Sequence, residues 1–192
     1  MTEENKYPAI GAKLLKRHRN LPHWEAGGGC YHIDWHVMPG LELAQAERAV
    51  VLDHLLKFHE KRLFVSVAIV MPDHVHALLR PLEKSPGVWW SLSELTAGMK
   101  GASARSINAR RDRRGAVWQD ESFDHLIRNL DDYTKNWLYI VRNPVVAALC
   151  KTIYEYDSYW IAADNEGRQL RKPETSWRPS DATAARNGRA TG

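Results

Sequence analysis

Two histidines separated by one residue, His74 and His76, are the side chains of this sequence best suited to chemistry. They follow an apolar run at 64–70, which is typical of a buried strand, and the turn residues Met71-Pro72-Asp73. A second strand beginning at His74 would direct both imidazoles to one face, because side chains alternate along a strand. Two imidazoles held side by side on a hairpin can supply half of a metal site.

A tyrosine and an asparagine form the second candidate group. Asn129 followed by Asp132 is typical of a helix N-terminus, and a helix beginning there would place Tyr139 and Asn143 on one face. If this face meets the two histidines, two imidazoles and one amide oxygen surround a divalent cation beside a phenol. Such a cation can polarise a phosphodiester and help to activate a phenol, whose ordinary pKa is about 10, as a nucleophile. The product would be a phosphotyrosine, which keeps the bond energy for rejoining.

The strand predicted from Cys30 to Val37 carries further polar side chains of the kind that bind metals. Apolar and polar residues alternate along it, so that His32, Asp34 and His36 share one face. If this strand neighbours the histidine pair, its polar face borders the same site.

The remaining elements predict the fold class. A helix is predicted over Leu41–Lys61 and another over residues 91–108, and Asn143-Pro144 is expected to end the helix that begins near Asn129. Strand, helix and hairpin in that order give a βαββ opening. The fold is therefore expected to be α+β with a mainly antiparallel sheet.

The length and composition suit one domain with tails. The chain has 192 residues, a net charge of +4 and a pI near 9.1. We expect a basic arm over 1–26, the functional domain over 27–161 and a polar, disordered tail over 162–192. Two distant cysteines without metal-type spacing, no secretory signal and no apolar run of membrane length predict a cytoplasmic protein without a membrane partner.

Clustered basic residues predict contact with phosphates, because like charges gathered in one segment attract a polyanion more than scattered ones do. They occur in one internal segment and in the arm: Lys100, Arg105, Arg110, Arg111, Arg113 and Arg114, with Arg17 and Arg19. Trp35 and Trp90 can stack on unpaired bases if they are exposed.

Three motifs together resemble a known family. They are VMPDHVHALL at 70–79, FDHLIRN at 123–129 and YIVRNPVVAAL at 139–149. In these motifs and their order the chain is similar, over about residues 20–161, to the REP-associated tyrosine transposases of the single-tyrosine HUH superfamily. The resemblance implies a ferredoxin-like fold, with a central antiparallel sheet and helices packed on one face.

The resemblance also implies roles for individual residues. His74, His76 and Asn143 match the metal ligands of that family, and Tyr139 matches its nucleophile. The family nicks single-stranded DNA beside palindromic hairpins, leaving a 5′-phosphotyrosine and a free 3′-OH, with Mg²⁺ or Mn²⁺. Imidazole softness alone would favour Zn²⁺, Ni²⁺ or Mn²⁺, so the preference for Mg²⁺ or Mn²⁺ comes from the resemblance.

Supporting roles are expected for four further residues that lie near these motifs or on the polar strand face, namely His32, Asp34, His36 and His125. Other functions also remain open: a replication initiator or relaxase with the same two-histidine chemistry, or a hairpin-DNA-binding protein without catalysis. A zinc hydrolase is disfavoured, because Ala77 and Leu78 interrupt the His-x-His-x-Asp-His pattern. A monomer and a homodimer with shared sites are both compatible with the sequence.

Overall fold

The computed structural model of the protein describes residues 14–18 and 22–162, with side chains from residue 27 onward. Its strands and helices follow one another in this order along the described residues: β1 (Leu14–His18), β2 (Pro22–Ala26), β3 (Tyr31–His36), α1 (Gln45–Leu56), β4 (Leu63–Val70), β5 (His74–Pro81), β6 (Glu83–Ser85), β7 (Val88–Trp89), α2 (Leu92–Arg110), β8 (Phe123–Leu126), α3 (Leu130–Val146) and β9 (Tyr159–Ile161).

The central sheet has the strand order β8-β3-β5-β4-β9, and each neighbouring pair is antiparallel. The path β3-α1-β4-β5-α2-β8 produces the first four of these places, which is the ferredoxin-like arrangement. β9 extends the sheet beyond β4. The α+β class and the antiparallel sheet expected from the sequence are confirmed.

Alternating side chains give the sheet two differently composed faces. On β3, Tyr31, Ile33 and Trp35 are buried in the core that α1 and α2 cover. The polar residues between them therefore point to the other face. On β4 a bulge between Val65 and Val67 shifts the register, so that Val65 lies in the core under α1 and α2 and Val67 lies on the other face.

The helices lie on both faces of the sheet, which corrects the expectation of helices on one face only. Helix α1 packs through Val51 and Leu55 into the first core. Helix α3 packs through Trp137 and Ile140 into a second core with Ile69 of β4. The fold thus places α3 against the polar side of β3 and β5.

The limits of two helices differ from those expected. Helix α1 begins at Gln45 and ends at Leu56, several residues inside the range 41–61. Helix α3 continues through Asn143-Pro144 to Val146. Pro144 lies in the last turn and is buried, so its missing N–H removes one hydrogen bond to Ile140 while the packing against the sheet is kept.

Helix starts follow the rules of local capping. Ser91 accepts a hydrogen bond from the Glu94 N–H and closes a capping box at α2. Asn129, expected as an N-cap, accepts from the Asp132 N–H at 2.9 Å. These caps hold the first turns of α2 and α3.

The arm expected over 1–26 contains the hairpin of β1 and β2, and residues 1–13, 19–21 and 163–192 lie outside the described residues. Within the described part of the chain, no helix combines the length and apolarity that crossing a membrane requires.

Glu47 and Arg111 join the start of α1 to the end of α2. The guanidinium contacts both oxygens of the carboxylate, which also accepts a hydrogen bond from the Ala44 N–H. The hydrogen bond from Arg111 lowers the pKa of Glu47 below its usual value. The ionised carboxylate is therefore favoured in the folded state.

We predict that Glu47→Gln lowers the free energy of unfolding by about 1–3 kcal/mol at neutral pH, because Arg111 loses a charged acceptor. Because the folded-state pKa is lowered, this stabilisation is present above the usual glutamate pKa of 4.5 and is lost as the pH falls below it. Urea unfolding of both proteins at several pH values should show the difference shrinking in acid.

The control is Asp53→Asn, which breaks the exposed ion pair with Lys57. It should change stability by less than about 0.5 kcal/mol. An effect of Glu47→Gln as small as this, or one that persists in strong acid, would contradict the prediction.

Candidate metal centre and tyrosine site

The register of β3 against β5 assembles the histidines. Asp34 is paired with His76, and His36 is paired with His74, so their side chains share the face that α3 covers. His32 lies one step further along the same face. The sequence-predicted polar face of β3 and the histidine pair of β5 therefore form one cluster.

The two β5 histidines point ring nitrogens at each other. His74 Nε2 lies 3.0 Å from His76 Nε2. On its other side, His74 Nδ1 contacts the Asp73 carboxylate at 2.6 Å. Since a carboxylate accepts, Nδ1 carries the proton and the Nε2 lone pair faces His76. Asp73, expected only as a turn residue, thus orients the His74 ring.

Helix α3 brings an amide and a phenol to the same point. The Asn143 amide nitrogen, Nδ2, lies 3.1 Å from His76 Nε2. The amide nitrogen and oxygen exchange places when the group turns over, so an oxygen can occupy this position. The Tyr139 ring centroid lies 5.3 Å from that of His76 and 5.9 Å from that of His32, and the residue is 53% exposed. Tyr139 therefore stands at the surface over the histidines.

Burial sets the charge of this cluster. Burial, with smaller contributions from the neighbouring His74, His32 and His36, lowers the pKa of His76 to about 3. Burial also lowers the pKa of His32 and raises that of Asp34. His32 and His76 are therefore neutral at physiological pH, which is the state in which imidazole binds a metal.

The residues present fit a divalent cation. Two ligands at about 2.1 Å from an ion, at right angles to each other, are about 3.0 Å apart, which is the separation of the two Nε2 atoms. A second donor set shares His76: one ligand atom each from His32, Asp34 and His76 lie within 4.8 Å of one another. His32 contacts His76 at its Nδ1, whereas His74 contacts His76 at its Nε2. The two donor sets therefore use opposite nitrogens of the His76 ring.

His125 reaches the cluster indirectly. Its Nε2 contacts the Asp132 carboxylate at 3.0 and 3.1 Å, which joins β8 to the first turn of α3. Asn136, one turn later, donates to Asp132 and contacts His32. His36 stacks on His74 with ring centroids 5.1 Å apart. His125 thus supports His32 through Asp132 and Asn136, while His36 packs directly against His74.

Sequence reasoning missed Asn136. A signal was available, since Asp132, Asn136, Tyr139 and Asn143 follow one another at steps of four, three and four residues, which is one face of a helix.

The basic residues expected to contact phosphate fall into two groups. The Lys100 amine donates to the backbone carbonyls of residues 119–121, and Arg111 is paired with Glu47. Arg113 donates to a carbonyl of its own turn. The side chains that extend into solvent are Arg105, Arg110 and Arg114. Arg17 and Arg19 lie outside the residues whose side chains the structure describes.

The basic turn at 110–114 lies at the same end of the sheet as the histidines. The segment that follows it pairs with the end of β3, where the Gln119 N–H donates to the His36 carbonyl and Met38 donates to Val117. The turn and the cluster therefore share one end of the sheet, although α2 packs on the face opposite the histidines.

Two tryptophans do not offer free stacking surfaces. Trp35 is 1% exposed and packs edge-on against Trp118, so the suggestion that it stacks on bases is wrong. Arg62 and Lys84 both lie over the ring of Trp90, within 4.6 and 4.3 Å of its centroid. That ring is occupied by cation–π contacts.

Comparison with known proteins bears on the fold. No family model matches the sequence, and no curated protein matches it. Among solved structures, that of a REP-associated tyrosine transposase bound to a REP hairpin is similar with a TM-score of 0.60 and 18% identity, over 76% of this chain and 82% of that chain. This likeness shows a shared fold. The solved transposase belongs to the family that the three sequence motifs resemble.

A second solved structure, of a putative transposase from Deinococcus radiodurans R1, aligns with a TM-score of 0.38 and 19% identity, over 65% of this chain and 92% of that chain.

We predict that Lys100→Met lowers the free energy of unfolding by about 1 kcal/mol, because the carbonyls of residues 119–121 lose a charged donor. Arg114→Met is the matched control and should stay within about 0.5 kcal/mol, since its side chain is exposed. Thermal and urea unfolding measure both. Equal stability of the two variants would contradict the structural role of Lys100.

Proposed function

We propose that the protein is a metal-dependent single-stranded DNA endonuclease and strand transferase that acts at hairpin elements of the REP type. One observation carries the proposal: the exposed Tyr139 stands over His76 while the Asn143 amide contacts the same His76 nitrogen that faces His74. A nucleophile and three potential ligands thus converge at one point. The fold shared with a hairpin-bound transposase supports the choice of substrate.

The residues allow a balanced transfer. The Tyr139 oxygen attacks the phosphorus and gives up its proton, the bond from phosphorus to the 3′ oxygen breaks, and that oxygen takes up a proton to leave a 3′-OH. The 5′ end stays on the enzyme as a phosphotyrosine. Attack by a 3′-OH on this ester reverses the reaction and joins strands. Neither direction requires an oxidant or a second nucleotide.

His74, His76 and the Asn143 amide oxygen would hold the ion, either Mg²⁺ or Mn²⁺. When bound there, it would polarise the phosphate and offset the charge that develops on it. Asp73 holds the His74 ring in place, and the packing of α3 holds Asn143 and Tyr139 above the pair.

Exposed Arg105, Arg110 and Arg114 would contact the phosphates of the bound strand. Such contacts position the DNA and carry no sequence information. The nucleophile and the proposed ligands come from one chain, so a monomer has a complete site.

A hairpin-DNA-binding protein without catalysis is the second candidate, and a replication-initiator or relaxase activity is a third. Catalysis is favoured because Tyr139 is exposed beside the ligands, whereas a residue needed only for packing would be buried. The two-histidine chemistry is common to a relaxase and a transposase, so the DNA that is cut would distinguish them.

We predict that Tyr139→Phe abolishes the covalent protein–DNA product while hairpin binding changes by less than about twofold, because only the attacking oxygen is removed. A hairpin oligonucleotide with a single-stranded flank, Mn²⁺ and denaturing electrophoresis detect the product. Tyr133→Phe, on the same helix, is the control and should keep it. Adduct formation by Tyr139→Phe would move the nucleophile to another residue, and the absence of adduct from the wild type would favour the binding protein.

We also predict that Arg110→Gln/Arg114→Gln weakens hairpin binding and reduces its salt dependence. The slope of log K against log salt should become shallower by about 0.9 for each phosphate that the protein no longer neutralises. Lys57→Gln/Lys61→Gln removes the same charge at the end of α1, away from the histidines, and is the matched control. An equal weakening by both pairs would indicate a general charge effect and contradict binding of DNA at the basic turn.

A further inference from the structure

A chain of hydrogen bonds runs from the first turn of α3 to the side of His76 that faces away from His74. Asn136 Nδ2 donates to the carbonyl oxygen and the carboxylate of Asp132, at 2.8 and 2.9 Å. Asn136 Oδ1 lies 2.8 Å from His32 Nδ1. His32 Nε2 lies 3.2 Å from His76 Nδ1. Consecutive contacts share a residue, first Asn136 and then His32, so the chain is continuous from Asp132 to His76.

The donor and the acceptor at each contact of the chain follow from Asp132. Both Asp132 oxygens can only accept at these contacts, so the Asn136 amide nitrogen must face them and its oxygen must face His32. His32 Nδ1 therefore donates. A neutral ring has one proton, which leaves a lone pair on His32 Nε2. Since His32 Nε2 can only accept, Nδ1 of His76 must carry the proton and donate it.

The tautomer of His76 determines what its other ring nitrogen presents to His74. With its proton on Nδ1, a neutral His76 has a lone pair on Nε2, directed at His74. The Asp73 contact likewise leaves a lone pair on His74 Nε2. Two lone pairs 3.0 Å apart repel each other, and a cation bound by both nitrogens removes that repulsion.

We propose that Asn136 and His32 are positioning residues that hold His76 in the tautomer whose Nε2 binds the metal, and that His32 is not itself a ligand. The proposal rests on the metal site proposed above. Histidine ligands commonly donate their second N–H to an oxygen, and here a second imidazole takes that place. The chain also ties the ligand to Asp132, so that the start of α3 and the metal-binding nitrogen are set together.

The alternative is an ion bound by His32, Asp34 and His76. It requires the opposite tautomer, with the His76 Nδ1 lone pair on the ion and an Nε2–H donating to His74. Two observations favour Nε2. The Asn143 amide lies on that side, and the Nε2 contact is only partly buried whereas the Nδ1 contact is buried. A phosphate from solvent therefore reaches an ion at Nε2 more readily than one at Nδ1.

The test is Mn²⁺ affinity of the full chain without DNA, measured by electron paramagnetic resonance of the free ion. His32→Phe removes the acceptor and should weaken binding about 10- to 100-fold, whereas His32→Gln supplies an amide oxygen and should restore most of the affinity. Asn136→Ala should weaken it about tenfold. The remote control His54→Phe should leave it unchanged, and Asp34→Asn should weaken it less than His32→Phe does. If His32→Phe does not fold, Asn136→Ala alone decides, because that side chain is polar and only half-buried.

Nuclear magnetic resonance gives a second readout that a packing role would not affect. In the ¹⁵N-labelled, Mg²⁺-loaded protein, the His76 ring should show a proton on Nδ1 and none on Nε2. Asn136→Ala should lose this distinct signal. A proton on His76 Nε2 would overturn the proposal.

Different results would contradict the proposed metal site and the positioning role of Asn136 and His32. If His74→Ala leaves Mn²⁺ binding intact, the proposed metal site is wrong. If His74→Ala abolishes binding while His32→Phe and Asn136→Ala do not weaken it, the metal site stands and the positioning chain is wrong. If Asp34→Asn and both His32 variants all abolish binding, His32 is a ligand and the proposal is also overturned.

Discussion

The packing of α3 across the polar side of the sheet is the interaction on which the whole site depends. Trp137, Ile140 and Val141 are buried against β4 and β5, and each such side chain contributes about 1.5–3 kcal/mol. Because successive residues of a helix are rotated by about 100°, this packing leaves Tyr139 and Asn143 at the edge of the buried stripe and over the histidines. A rotation of α3 by one residue would remove both from the site.

Burial is the second constraint, and it acts on charge. An imidazole enclosed under α3 is kept neutral, and a neutral imidazole has one proton to share between two ring nitrogens. Each neutral histidine can therefore donate through one ring nitrogen only, and the other nitrogen has a lone pair that accepts or binds. The contact with Asp73 determines which nitrogen of His74 carries the proton. The contacts of His32 with Asn136 and His76 determine it for His32 and His76. The histidines that the site uses and those that support them form one connected system.

Much of this could be predicted from the sequence where local pattern determines the outcome. The strand ending at Val70, the turn at 71–73 and the strand beginning at His74 were predicted, because apolar runs and turn residues mark them directly. Alternation along β3 correctly placed Trp35 and His36 on opposite faces. The spacing of Tyr139 and Asn143 placed them together on α3, as the structure also does.

Other features depend on contacts that no local pattern contains. An amphipathic helix shows which of its own sides is apolar, but not which side of a sheet it will cover. The docking of α3 on the histidines was therefore only a condition of the sequence argument, and the expectation of helices on one face did not hold. Pro144 is a local stop signal that tertiary packing overrides. Basic character alone could not separate Lys100 and Arg111, which serve the fold, from Arg114, which extends into solvent. Asn136 was passed over because an amide on a helix has no evident chemistry until His32 is placed beside it.

The most direct test of the account is to locate Mn²⁺ in crystals of the protein by its anomalous scattering. We predict one ion within about 2.1 Å of Nε2 of both His74 and His76, with the Asn143 amide oxygen as a third ligand and Tyr139 beside it. An ion held instead by His32 and Asp34 through Nδ1 of His76, or an ion bound away from all of these residues, would contradict it.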